Sequence, residues 1–218
     1  MKRWLLIWSL LIAVLAACEH GNYEDGDSQY SWLRADFVVV RSNADKALYQ
    51  AVNDEGDTIH FSSPLSTSWA LTPDTTYRAL LYYQKKNQRV EVINVKHIPV
   101  VHFALVDTIG SDPLTFQSAW MSNNQRYLNI AFMVKTGKVN GEVIPQRMGV
   151  VCDSITESED GENTLFLRLT HAQNQAPQYY SSQGYISIPA YPLPKGTHIV
   201  LRVNDYRGMI EKKFRVNP

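Results

Sequence analysis

The sequence predicts an all-β protein in two parts, a closed barrel of five strands followed by a sandwich of seven. Three observations lead there. Short runs rich in Val, Ile, Tyr, Thr and Phe recur from Arg34 onward. Clusters of Gly, Pro, Asn and Asp separate them at fairly regular intervals. No stretch beyond Cys18 keeps the apolar period of about 3.6 residues that marks an amphipathic helix.

Residues 1–17 stand apart from this pattern. Lys2 and Arg3 give a positive start, the run from Trp4 to Val14 is apolar except for Ser9, and Leu15-Ala16-Ala17-Cys18 follows at once. That is the anatomy of an export signal, and a cysteine at the first mature position makes it a lipoprotein signal. Diacylglycerol on the Cys18 thiol and removal of residues 1–17 are the expected outcome. An uncleaved anchor is the alternative, but the apolar run falls short of the roughly 20 residues a spanning helix needs. Residues 18–32 follow, with Gly21, Asn22, Asp25, Gly26 and Ser28 and little apolar content, and read as a flexible, solvated tether.

The barrel is expected over 33–104, with strands at 35–41, 47–52, 58–61, 77–84 and 90–97. Alternation is clearest in the last, where Val90, Val92 and Asn94 fall on one face. Five short strands with hairpin spacing suit a small closed barrel. The second part is expected over 105–218, with strands at 115–121, 127–135, 146–153, 164–171, 184–189, 198–204 and 210–216. Asn123-Asn124, Asn140-Gly141, the acidic 157–163 tip and Asp205 to Gly208 punctuate them. Seven strands at this spacing suggest an immunoglobulin-like sandwich.

Charge and cysteine content narrow the functions. The chain has 21 Lys+Arg and 21 Asp+Glu; losing Lys2 and Arg3 with the signal leaves 19 against 21, a formal −2. So even a balance offers no grip on nucleic acid, and membrane attachment falls to acyl chains on Cys18. With Cys18 lipidated, Cys152 is left alone in an apolar run, as a buried structural thiol. No disulfide framework is possible within the mature chain.

Catalytic signals are weak. There is no Gly-x-Ser-x-Gly elbow, Cys152 lacks a neighbouring base, and the six histidines are widely spaced, so neither a nucleophile nor a metal site is expected. No cofactor is expected either. The tip around Glu157 to Asn163 lacks the ligand spacing of a calcium loop. Tyr179, Tyr180 and Tyr185 crowd one region beside Gln173-Asn174-Gln175, and aromatic faces next to amides suit the stacking of sugar rings. Ordinary core and surface roles for these tyrosines are the plainer reading.

Several segments together carry a family resemblance: Asp107-Thr108-Ile109-Gly110-Ser111-Asp112-Pro113, Trp120 followed by Tyr127-Leu128-Asn129-Ile130-Ala131-Phe132, Arg168-Leu169-Thr170-His171, and Leu201 through Gly208. With the Cys18 signal, they make the chain resemble the NigD-like lipoproteins of Bacteroidetes over nearly its whole mature length. The resemblance implies an N-terminal oligonucleotide-binding-type (OB) barrel, a C-terminal β-sandwich and an association with bacteriocin biology. It brings no catalytic residues, and an OB barrel does not by itself imply nucleic-acid binding. Glu19-His20-Gly21 departs from the Asp run that often follows the cysteine in that family, so periplasmic face and cell surface both stay open. Asp57-Thr58-Ile59, Asp74-Thr75-Thr76, Asp107-Thr108-Ile109 and Asp153-Ser154-Ile155 resemble an O-glycosylation sequon of Bacteroidetes envelope proteins, making Thr58, Thr75, Thr108 and Ser154 candidate acceptors.

The function expected from all this is a non-enzymatic binding module on the outer membrane, with an envelope protein or a glycan as partner. A surface glycan-binding lipoprotein for nutrient uptake and an envelope hydrolase are the alternatives.

Overall fold

The structure, a computed structural model, describes residues 33–86, 89–159 and 161–217. The expected signal 1–17, the expected lipidation residue Cys18 and the expected tether 18–32 lie outside them.

Five strands form a closed barrel: β1 (Leu33–Ser42), β2 (Leu48–Asn53), β3 (Thr58–Leu65), β4 (Thr76–Lys86) and β5 (Arg89–His97). Their order is β1-β2-β3-β5-β4, with β3 and β5 parallel at Phe61 and Val90. Asparagine side chains make the hairpin turns. Asn43 Oδ1 accepts the amides of Asp45 and Ala47, and Asn53 Oδ1 those of Glu55 and Asp57. Each turn therefore satisfies its own backbone donors. Val38, Val40, Leu48, Ala51, Leu81 and Val95 fill the interior.

One expected face is corrected. Asn94 is exposed, and Val95 is the buried residue instead. The register slips between Tyr82 and Tyr83, which face Asn94 and Val92, so Ile93 is an extra residue on β5. A bulge of this kind reverses the alternation for the rest of the strand.

The second part has seven main strands in two sheets: β6 (Thr115–Met121), β7 (Tyr127–Thr136), β10 (Arg147–Glu157), β11 (Asn163–Ala172), β12 (Tyr180–Pro189), β13 (His198–Asp205) and β14 (Gly208–Arg215). The sheets run β12-β7-β6 and β10-β11-β13-β14. Leu128, Ile130, Leu167, Ile188 and Leu201 fill the space between them. The expected sandwich is therefore present, with one pairing unlike an immunoglobulin sheet: β11 and β13 run parallel. A small hairpin, β8 (Lys138–Val139) and β9 (Glu142–Val143), closes on Asn140 and Gly141 at φ 52 and 87. Such left-handed pairs are what a two-residue hairpin loop requires.

Residues 98–114 link the two parts and are already built into the sandwich. Val101 N donates to Ser187 O and Ser187 N to Pro99 O; Ala104 N donates to Val150 O and Cys152 N to Ala104 O. The segment thus adds backbone pairing to β12 and then to β10, the two strand edges it passes, and protects both. The boundary expected at 104/105 falls inside this packed segment.

Candidate functional site at the domain junction

Arg78, on β4 of the barrel, is only 3% exposed. Its guanidinium makes a bidentate pair with Asp54, both contacts at 2.6 Å. The same group crosses into the sandwich. Nη2 donates to Asn129 Oδ1 at 3.2 Å and Nε to Ser187 Oγ at 3.4 Å, while Ser187 Oγ donates to Asn129 Oδ1 at 2.7 Å. Asn129 and Ser187 are fully buried neighbours on β7 and β12. Arg78 also lies 4.4 Å from the Tyr127 ring centre and 5.5 Å from that of Phe37. A planar cation with several fixed donors suits this dense arrangement, which a lysine would not reproduce.

Around this lock the rings of both parts meet. Phe37 of β1 packs edge-on against Trp120 at 5.2 Å and Tyr185 at 5.5 Å. The outward face of the three-stranded sheet is laid out in rows by its register. Ser187, Asn129 and Trp120 form the row at the lock; Tyr185, Ala131 and Ser118 form the next. Beyond them the register shifts between Phe116 and Ser118. That bulge places Gln117 beside Gln183, whose Nε2 donates to Gln117 Oε1 at 3.1 Å and to the Tyr185 hydroxyl at 2.6 Å. Lys96, on β5, donates to Gln183 O and lies 5.6 Å from the Tyr185 ring centre.

These side chains line an open cleft of about 460 Å³, with Ala35, Phe37, Leu80 and Tyr82 from the barrel and Gln117, Ser118, Trp120, Ala131, Gln183 and Tyr185 from the sandwich. A smaller hollow of about 170 Å³ adjoins it across Ala35, Phe37 and Trp120, rimmed by Asp36, Glu55 and Asn123. Asp36 takes a 2.7 Å hydrogen bond from the Tyr83 hydroxyl, and burial, ahead of that carboxylate, pushes the Tyr83 pKa up to about 12.

The expected ligand tyrosines are not gathered in one place. Tyr185 is part of the cleft. Tyr179 and Tyr180 lie at the far end of β12, opposite Thr136, whereas Tyr185 is opposite Ala131. Five residues of extended chain put roughly 17 Å between Tyr180 and Tyr185. The nearby amides are engaged locally: Asn174 donates to Pro145 O, and Gln173 to Ala176 O. Tyr179 is widely exposed beside Gly137. Of the candidate acceptor hydroxyls, Thr58, Thr108 and Ser154 are on exposed residues and Thr75 on a half-buried one. Cys18 lies outside the described residues.

Sequence reasoning missed Arg78, Asp54, Trp120 and Gln117 as members of one site. Arg78 had a local signal. It is a lone charge followed by Ala79-Leu80-Leu81, as Asn129 is a lone amide within Tyr127 to Phe132.

The other segments that carried the resemblance converge away from the cleft. Arg168 on β11 binds Asp153 at 2.9 Å and Asp107 at 2.9 Å. Asp107 also accepts the amides of Ile109 and Gly110. The backbone bond from Gly110, then Arg168, hold its pKa down at about 2. Asp112 N donates to His171 O, and His171 N to Gly110 O. Asn204 Nδ2 donates to Ser111 O, and Asp205 accepts the Phe116 amide at 2.8 Å. His171, 1% exposed, sits 2.7 Å from Gln146 Oε1 through Nε2. The conspicuous motifs are thus a latch that seats loop 107–114 on the sheet. Cys152 is buried, its pKa raised by desolvation, with Sγ donating to Ser154 O.

The sequence of 98–216, more than half of the chain, matches the family described as the NigD-like C-terminal beta sandwich domain. The chain belongs to the NigD-like family. Among solved structures, this NigD-like protein is similar to a NigD-like immunity protein from Bacteroides caccae (20% identity, TM-score 0.62, 84% of this chain and 97% of that one). It is also similar to a putative toxin-related protein from Parabacteroides distasonis (19%, TM-score 0.58, 85% and 93%). A third is a protein of unknown function from Bacteroides vulgatus (17%, TM-score 0.61, 84% and 90%). At these identities the likeness establishes the fold. No curated protein matches the sequence. The barrel and sandwich of this NigD-like protein thus meet at the buried Arg78, with an aromatic cleft opening beside it.

Proposed function

We propose that this NigD-like protein is a lipid-anchored, non-enzymatic binding module of the bacterial outer membrane, acting in immunity to bacteriocins or related toxins. The family supports the link to toxin biology, since a solved structure of the same fold is named an immunity protein and another a toxin-related protein. The observation that carries the binding role is the cleft, where half-buried rings from both parts and the exposed amides of Gln117 and Gln183 converge beside a rigid lock. Groups that otherwise suit catalysis are tied into the framework instead: Cys152 is buried and His171 is held between Gln146 and Asp112. The Cys18 signal supports the anchor, and exposed Thr58, Thr108 and Ser154 are sites where O-glycan fits on the surface.

The test is a deletion strain challenged with culture supernatants of bacteriocin-producing relatives. The deletion is expected to sensitise the cells. The wild-type gene restores protection, and Cys18→Ala, which no longer takes up labelled palmitate, does not. Equal sensitivity of deletion and wild-type strains to every supernatant that kills related cells contradicts the immunity role. Palmitate incorporation by Cys18→Ala contradicts the anchor.

A further inference from the structure

The geometry points to the junction cleft as a site for a neutral saccharide, with Trp120 as the stacking surface, Tyr185 as the ring that holds Gln183 in place, and Gln117 and Gln183 as the hydroxyl-reading pair. This rests on the reading of the protein as a binding module and names the ligand that module takes.

The argument starts from the amides. Gln183 spends its Nε2 on Gln117 Oε1 and on the Tyr185 hydroxyl. What the pair has left to offer is the Nε2 donor of Gln117 and the Oε1 acceptor of Gln183, both on exposed residues. A hydroxyl both donates and accepts, so adjacent ring hydroxyls match this uncharged pair. Gln117 is the extra residue of the bulge, so it and Ser118 are exposed at successive positions, which regular alternation does not allow. Bulges recur beside functional sites for this reason.

Next to the amides, Tyr185 and Trp120 are half-buried, and Ala131 between Tyr185 and Ser118 leaves the floor low. Phe37 packs edge-on against both rings, fixing the platform before any ligand arrives. Such preorganisation lowers the cost of binding. The volume, about 460 Å³, lies in the range of roughly 300–1,000 Å³ that small-molecule sites occupy.

Charge separates the candidates. A cationic peptide would meet the Lys96 ammonium, which already lies over the Tyr185 ring. A polyanion would meet Asp36 and Glu55 on the adjoining rim. A neutral polyol meets neither penalty.

The experiment uses the full chain in detergent. It is titrated with neutral hexasaccharides of glucose, mannose, xylose and N-acetylglucosamine, with heparin, and with an oligolysine peptide, all followed by calorimetry. Binding of at least one neutral hexasaccharide is expected. Gln117→Ala should weaken it about tenfold, as loss of one hydrogen bond does, and Ser118→Trp, at an exposed position, should abolish it by filling the cleft. Unchanged circular dichroism and melting temperature show that these surface variants are folded. Binding of none of the four, equal affinity in both variants, or a preference for heparin or oligolysine overturns the proposal. The immunity test separates the two readings. If the wild-type protein binds no saccharide while the wild-type gene still protects the deletion strain, the saccharide site is wrong and the immunity role stands.

Discussion

Arg78 sits where a charge is expensive, and its partners decide the outcome. Moving a guanidinium out of water costs several kcal/mol, which two short bonds to Asp54 and further bonds to Asn129 and Ser187 offset. Removing one partner leaves the cost and takes the compensation. Asp54→Ala is therefore expected to destabilise by about 3–5 kcal/mol, read as a lower urea midpoint with little change in slope. Gly149 is a second sensitive point. A Cβ there would lie 2.5 Å from Ile109 Cδ1 and 3.0 Å from Thr170 Oγ1. Gly149→Ala should cost about 1–3 kcal/mol, and adding Ile109→Val, which removes the closest carbon, should recover part of it. A double-mutant cycle measures that coupling, and strict additivity would show that Ile109 is not the obstacle.

At the scale of elements, the latch joins loop 107–114 to β11 and β13 through groups with a definite pH response. Asp107 titrates at about 2 when folded against an ordinary 3.8. A depressed folded pKa means its contribution is complete above the unfolded value and is lost as pH falls through about 4 towards 2. Asp107→Asn should thus flatten the acid limb of stability against pH in that window, with the curve above pH 5 parallel to wild type; an unaltered acid limb would remove Asp107 from the latch. Strands were largely legible in sequence, because β-branched and aromatic runs bounded by Asn, Gly and Pro report a half-buried surface directly. The bulges at Ile93, Gln117 and Asp153 were not. A bulge is fixed by the partner strand, and no local period records it. For that reason alternation alone sets Asn94 on one face with Val90 and Val92, and nothing local pairs Gln117 with Gln183. Tyr185 was singled out, but grouping it with Tyr179 and Tyr180 treated distance along the chain as distance in space.

For the whole molecule, the sequence foretold a barrel and a sandwich but not that they would be joined through a buried arginine, paired with Asp54 in the barrel and bonded to Asn129 and Ser187 in the sandwich. Arg78 and Asp54 lie 24 residues apart, and Asn129 and Ser187 stand 51 and 109 residues from Arg78. No short-range pattern links them. The cleft opens beside this lock, where Phe37 and Tyr82 of the barrel face Trp120 and Tyr185 of the sandwich. The lock should make the barrel and sandwich open as a single cooperative unit, and native-state hydrogen exchange read by mass spectrometry tests this most directly. In the wild type, core amides of β4 and β7 are expected to share one opening free energy and one urea dependence. In Arg78→Met the β4 amides should open at lower free energy while those of β7 stay protected. Separate openings of barrel and sandwich in the wild type, or a common opening that survives Arg78→Met, would contradict the lock.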